Sequence, residues 1–82
     1  MDTHILAVDD NPEIREIIEI LLTGEGFAVD QAGDGTQALA MLKEKHYDLI
    51  ILDIMMPGMN GYQTCLEIRK LTNAPILFLS AR

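Results

Sequence analysis

The sequence predicts an α/β fold, a doubly wound parallel sheet with helices on its faces, and three observations predict it. Short continuous apolar runs recur at residues 5–8, 49–52 and 76–79. Runs without alternation suit strands covered on both faces, as in parallel sheets. Segments with helical apolar spacing lie between them, and the connections are short. Strands and helices alternating in this way imply right-handed crossovers within one parallel sheet.

Taken in order, Ile5-Leu6-Ala7-Val8 is the first strand, and it stops at Asp9-Asp10. Asn11 can cap a helix, and Pro12 suits its first position. Ile14, Ile17, Ile18, Leu21 and Leu22 then share one helical face, expected to lie on the core. Gly24 and Gly26 end that helix. Residues 27–32 form a weaker, partly polar strand, placed at an edge. Asp34-Gly35 opens a second helix that carries Ala38, Leu39, Met41 and Leu42, and the basic turn at 43–45 suits its C-terminus. Leu49-Ile50-Ile51-Leu52 is a buried strand that stops at Asp53. Met56-Pro57-Gly58-Met59 has Pro and then Gly at the central positions of a type II turn. Asn60 can cap a third helix, with Tyr62, Cys65, Leu66 and Ile68 inward. After a break at Asn73-Ala74-Pro75, residues 76–79 form another buried strand, followed by Ser80.

The 82 residues, 49% of them apolar, suit one globular unit. A formal charge of −7 repels phosphate backbones and acidic membrane surfaces, and it directs attention to a cation site. The single cysteine, Cys65, rules out an internal disulfide and fits a reducing compartment. The first residues, Met1-Asp2-Thr3-His4, lack the basic stretch of a secretory signal, and no apolar run reaches membrane-spanning length. A soluble cytoplasmic protein is expected.

In open α/β sheets, ligands bind beyond the carboxyl ends of the strands. Asp9 and Asp10 follow the first strand, Asp53 the third and Ser80 the fourth, all on the same edge. If the first and third strands are neighbours, three carboxylates and a hydroxyl meet there. Two unit charges about 4 Å apart repel by roughly 4 kcal/mol at an effective dielectric near 20. Either a proton or a cation then has to sit among them. Oxygen ligands without His or Cys favour a hard ion, Mg²⁺ above all, which leaves positions for phosphate oxygens. Phosphoryl transfer is the chemistry this edge suits.

Each residue also has a plainer reading. Asp53 alone can be a strand end satisfied by loop N–H groups, Asp10 a helix cap and Ser80 a turn former. Asp34-Gly35-Thr36 resembles the Asp-Gly-Thr of haloacid-dehalogenase phosphatases, but Ala32 stands where that motif needs a second Asp, so Asp34 is read as a cap. His4 and His46, at strand starts with no partner carboxylate pattern in the sequence, are read as surface residues, and Cys65 as core.

Three segments carry a more specific resemblance. Ile5-Leu6-Ala7-Val8-Asp9-Asp10-Asn11, Ile51-Leu52-Asp53-Ile54-Met55-Met56-Pro57-Gly58-Met59-Asn60-Gly61 and Leu79-Ser80-Ala81 resemble the signature blocks of response-regulator receiver domains, in the family's order. The stretch from Asp53 to Gly58 is most similar to regulators with a C-terminal winged-helix DNA-binding domain. The resemblance implies a flavodoxin-like receiver fold with strand order 2-1-3-4-5, here truncated after the fourth strand. The family's fourth helix, fifth strand and fifth helix have no counterpart in the sequence, nor does the lysine that follows the fifth strand.

The resemblance also implies roles. Asp53 is the phosphoryl acceptor. Asp10 is a direct Mg²⁺ ligand, Asp9 acts through water, and Asp53 and the Met55 backbone carbonyl complete the set. Ser80 is the switch hydroxyl. The implied partner is a sensor histidine kinase, with DNA contacted only through a C-terminal domain absent from this chain and no membrane contact. A homodimer is expected from an open fourth-strand edge. The reading is a two-component signalling module and not an enzyme of metabolism. Two other classes stay open: an assembly or binding module without phosphorylation, and a Mg²⁺-dependent phosphohydrolase in which Asp53 is a transient intermediate.

Overall fold

The apolar runs become the strands of one parallel sheet. The structure, a computed structural model, describes residues 2–54 and 61–79. Its strands are β1 (His4–Val8), β2 (Ala28–Ala32), β3 (Leu49–Asp53) and β4 (Ile76–Leu79), and its helices are α1 (Pro12–Gly24), α2 (Gly35–Glu44) and α3 (Gly61–Arg69). The strand order is β2-β1-β3-β4, all parallel, as the resemblance implies. The register sets Val8 beside Leu52, so β1 and β3 finish level.

Local chemistry sets the helix ends. The Asn11 side chain accepts the Glu13 N–H at 2.9 Å, and Pro12 follows as the first helical residue. At the other end Gly26 has φ 97, its N–H donates to the Thr23 carbonyl, and the Phe27 N–H donates to the Leu22 carbonyl. This is the Schellman pattern, for which a glycine is the residue without steric cost. It uses Phe27 in the cap, so β2 begins one residue later than the apolar pattern implied. Asp34 accepts the Gln37 N–H at 2.7 Å while the Gln37 side chain accepts the Gly33 N–H at 2.7 Å, which bears out the cap reading of Asp34.

Alternation along the strands divides the core between two faces. On one face Leu6, Val8, Ile50 and Leu52 are buried against Ala38 of α2 and Ile68 of α3, with Leu39, Met41, Leu42 and Cys65 packed around them. On the other face Ile5, Ala7 and Ile51 are buried on the α1 side. Three expectations change here. The apolar stripe of α1 is half-covered at best: Ile18 and Leu22 are half-buried, whereas Ile14, Ile17 and Leu21 are exposed. The helix leans on β1 and β2, leaving Ile18, Leu21 and Leu22 to line an apolar groove of about 170 Å³ with Ile51, Leu77 and Leu79. In α3 the inward residues are Gly61, Thr64 and Ile68, while Tyr62 and Leu66 are exposed. Small residues let that helix approach closely. Among the described residues β4 is not a buried strand but an edge with a single neighbour, and its Leu77 is 54% exposed. The expected turn at 56–59 and the Asn60 cap lie outside the described residues.

Candidate functional site

Because β1 and β3 are neighbours that end level, the residues beyond Val8 and at the end of β3 meet at the carboxyl edge of the sheet. Asp9 and Asp53 are each only 6% exposed there, whereas Asp10 is exposed. One carboxylate oxygen from each of Asp9, Asp10 and Asp53 lies within 4.8 Å of the other two. Among the described residues this is the one cluster of three with metal-binding spacing.

Asp9 is held at three points. Its N–H donates to the Ala32 carbonyl at 3.2 Å. Its Oδ1 accepts the Asn11 N–H at 2.9 Å, and its carbonyl accepts from Arg15 Nη1 at 2.6 Å. Burial pushes the Asp9 carboxyl above the usual carboxylate range; the Asn11 N–H pulls it back, and the nearby Asp53 and Asp10 charges push it up again. A carboxyl raised in this way favours the protonated folded form. Its contribution to stability is present below the ordinary value of 3.8 and is lost as pH rises through the raised one, so at neutral pH the ionised Asp9 carboxylate costs stability.

The donor set fits a hard divalent cation. All donors are carboxylate oxygens, two of the three are buried, and their mutual repulsion is the penalty a cation removes. Asp34, which caps α2, takes no part in the cluster. β4 runs out beside Asp53: Leu79 is the register partner of Asp53, and its carbonyl accepts the Ile54 N–H at 3.3 Å. Ser80 and Met55, both expected at this edge, lie outside the described residues.

Two residues at the edge went unassigned in the sequence. A Cβ on Gly61 would lie 2.5 Å from Ile54 Cα and 2.7 Å from the Asp53 carbonyl oxygen, so only glycine permits this approach. The Gly61 N–H also donates to the Ile54 carbonyl at 2.9 Å, tying the start of α3 to the backbone after Asp53. Gly61 closes the second signature segment, and that position was the signal for it. Arg15 is the other. One helical turn beyond the Asn11 cap, it has a sequence position that a solvated surface cation would share.

A family model described as the response regulator receiver domain matches residues 5–82. The chain belongs to that family. The DNA-binding response regulator MtrA of Mycolicibacterium smegmatis is 46% identical over 85 residues, covering 100% of this chain and 37% of that protein. The chain therefore spans little more than a third of the length of the curated relatives it matches. Among solved structures, the response regulator protein TrrA of Thermotoga maritima in complex with Mg²⁺-BeF has a TM-score of 0.91 at 44% identity, over 98% of this chain and 70% of that one. The complex of the histidine kinase ThkA with TrrA gives 0.89 at 45% identity, over 96% and 69%. Family membership thus agrees with the sheet order and with the acidic edge of this receiver domain. Among its described residues, no helix is long and apolar enough to cross a membrane.

Proposed function

We propose that this receiver domain takes a phosphoryl group onto Asp53 from a sensor histidine kinase, with Mg²⁺ held by Asp9, Asp10 and Asp53. The observation that carries the reading is the convergence of these three carboxylates within 4.8 Å at the ends of β1 and β3. TrrA, solved with Mg²⁺-BeF and also with the kinase ThkA, supports both the ion and the partner. Bound there, Mg²⁺ supplies charge neutralisation and a template for phosphoryl oxygens.

The residues of the chain do the rest. Asp53 is the last residue of a central strand and nearly buried, which fixes its carboxylate for in-line attack. Its oxygen forms a bond to phosphorus as the phosphorus–nitrogen bond of the donor phosphohistidine breaks, and the imidazole leaves with the electron pair. Asp9, anchored through its N–H, carbonyl and carboxylate, holds its charge in place beside Asp53. The Met55 carbonyl as a further ligand and Ser80 as the hydroxyl that senses the phosphoryl group belong to the same proposal by their places in the sequence, next to Asp53 and Leu79. The outcome is a switch acting in the cytoplasm, whose only chemistry is its own loading and hydrolysis. Its output is transcription, through a DNA-binding region such as the one that names MtrA.

Incubation with a small phosphodonor and Mg²⁺, read by intact mass, tests the reading. One phosphoryl group is expected on the native protein and on Asp34→Asn, and none on Asp53→Asn. Stable label on Asp53→Asn, or label on Ser80, contradicts the assignment. Steady phosphate release from unrelated phosphoesters favours the phosphohydrolase instead.

A further inference from the structure

Arg15 reaches the acidic edge without pairing to a carboxylate. Its Nη1 donates to the backbone carbonyl of Asp9 at 2.6 Å and its Nε to Gln31 Oε1 at 3.0 Å. Gln31 in turn donates through Nε2 to Glu19 Oε1 at 2.6 Å. The result is a continuous chain from α1 across β2 and back to the end of β1. The planar guanidinium is suited to it, since one rigid fork serves two acceptors in different elements.

The bonded carbonyl belongs to the peptide that joins Asp9 to Asp10. Holding that carbonyl holds the peptide plane, and the plane fixes the N–Cα bond from which the Asp10 side chain is hung. Asp9 has further anchors through its N–H and its carboxylate. Asp10 is exposed and follows directly on that peptide, so its backbone position is taken from it. We infer that Arg15 is a positioning residue of the cation site, which sets the affinity for a divalent ion by aiming Asp10 through the Asp9 carbonyl. The inference rests on the reading of this edge as a Mg²⁺ site.

Two physical effects of Arg15 have opposite signs, and this makes the inference testable. Through space, a guanidinium held on the Asp9 backbone carbonyl carries a positive charge toward the site and competes with a metal cation, so deleting its charge should tighten Mg²⁺ binding. Through the backbone, deleting it frees the peptide and should weaken binding. Groups that orient metal ligands are commonly worth about 10- to 100-fold in affinity, so positioning dominates.

Calorimetric titration of the metal-free protein with Mg²⁺ decides between them. Arg15→Gln is expected to raise the Kd about tenfold. Arg15→Lys should do much the same, because an ammonium keeps the charge and loses the fork. Gln31→Leu, which leaves Arg15 in place but removes its second anchor, should weaken binding by a smaller factor. The amide ¹⁵N resonance of Asp10, which lies in the bonded peptide, should move in both Arg15 variants. If Arg15→Gln fails to fold by circular dichroism, Arg15→Lys and Gln31→Leu carry the test. Unchanged or tighter Mg²⁺ binding in the folded variants overturns the inference, as does full rescue by Arg15→Lys. Absence of saturable Mg²⁺ binding by the unsubstituted protein is a distinct result: it overturns the reading of the site, and the inference with it.

Discussion

Asp9, just past the end of β1, and Asp30, in the middle of β2, are carboxylates on one sheet in opposite electrostatic situations. Asp30 accepts the buried Tyr47 hydroxyl at 2.6 Å and the Lys45 ammonium at 3.0 Å. The Tyr47 hydrogen bond first, and then Lys45, hold its carboxyl below the usual range. Asp9 is pushed the other way, by burial and by the charges of Asp53 and Asp10. Asp30 finds its compensation inside the chain and ties β2 to the loop before β3. Asp9 has one backbone N–H against its burial and two carboxylate neighbours, so its compensation has to come from solution. Asp30 is compensated within the fold, whereas under the proposed function Asp9 is compensated by a bound cation.

The largest expected effect sharpens this contrast from the side of the acidic edge. Gly61→Ala forces a Cβ into backbone atoms of Asp53 and Ile54, and should destabilise the protein by about 3 kcal/mol in urea unfolding. Gly24→Ala, with nothing within 4 Å of the added Cβ, should stay within about 1 kcal/mol. Equal effects at the two glycines would mean that α3 does not press on the edge.

A smaller effect belongs to the satisfied carboxylate. Tyr47→Phe should cost about 1 kcal/mol at pH 7, a charge-assisted hydrogen bond discounted because Asp30 is partly exposed. Its pH dependence has a defined sign. The Asp30 carboxyl is lowered, so its contribution is present above 3.8 and lost as pH falls through the lowered value. The Tyr47 hydroxyl is raised by burial and then by Asp30, so its contribution is present below 10.0 and lost as pH rises through the raised value. The native protein should therefore exceed Tyr47→Phe by a constant margin between those limits, and the margin should shrink beyond either one. A margin that persists in acid would break the comparison. Smallest is Lys45→Ala, about 0.5 kcal/mol or less and fading with added salt, since its ion pair is solvent-exposed.

Much of this was readable before the structure, for reasons that particular residues make clear. Ile5-Leu6-Ala7-Val8 and Leu49-Ile50-Ile51-Leu52 lack alternation because both faces of β1 and β3 are covered, and parallel order follows from the helices between them. Asp9, Asp10 and Asp53 were placed together by strand ends alone. What periodicity cannot supply is the identity of the neighbour. The α1 stripe announces a face, but whether Leu21 is covered depends on which strands lie beneath it. In α3 the apolar Tyr62 and Leu66 pointed to the wrong face: the helix closes on the backbone of Asp53 and Ile54 through Gly61, and it buries Thr64 and Ile68 instead. Arg15 escaped notice because its partner is a backbone carbonyl, and no residue type marks that in a sequence.

Thermal unfolding of the native protein and Asp53→Asn, each with and without Mg²⁺ at neutral pH, shows whether the acidic edge depends on a cation. Without metal, Asp53→Asn removes one of three crowded charges and should melt higher than the native protein, by about 1–2 kcal/mol of stability. With Mg²⁺ at a hundred times its Kd, the native protein should gain about 2.7 kcal/mol by mass action while Asp53→Asn gains much less, closing or reversing the gap. A native Tm indifferent to Mg²⁺, or a metal-free Asp53→Asn that melts lower than the native protein, would contradict the account of the acidic edge as a cation-dependent site.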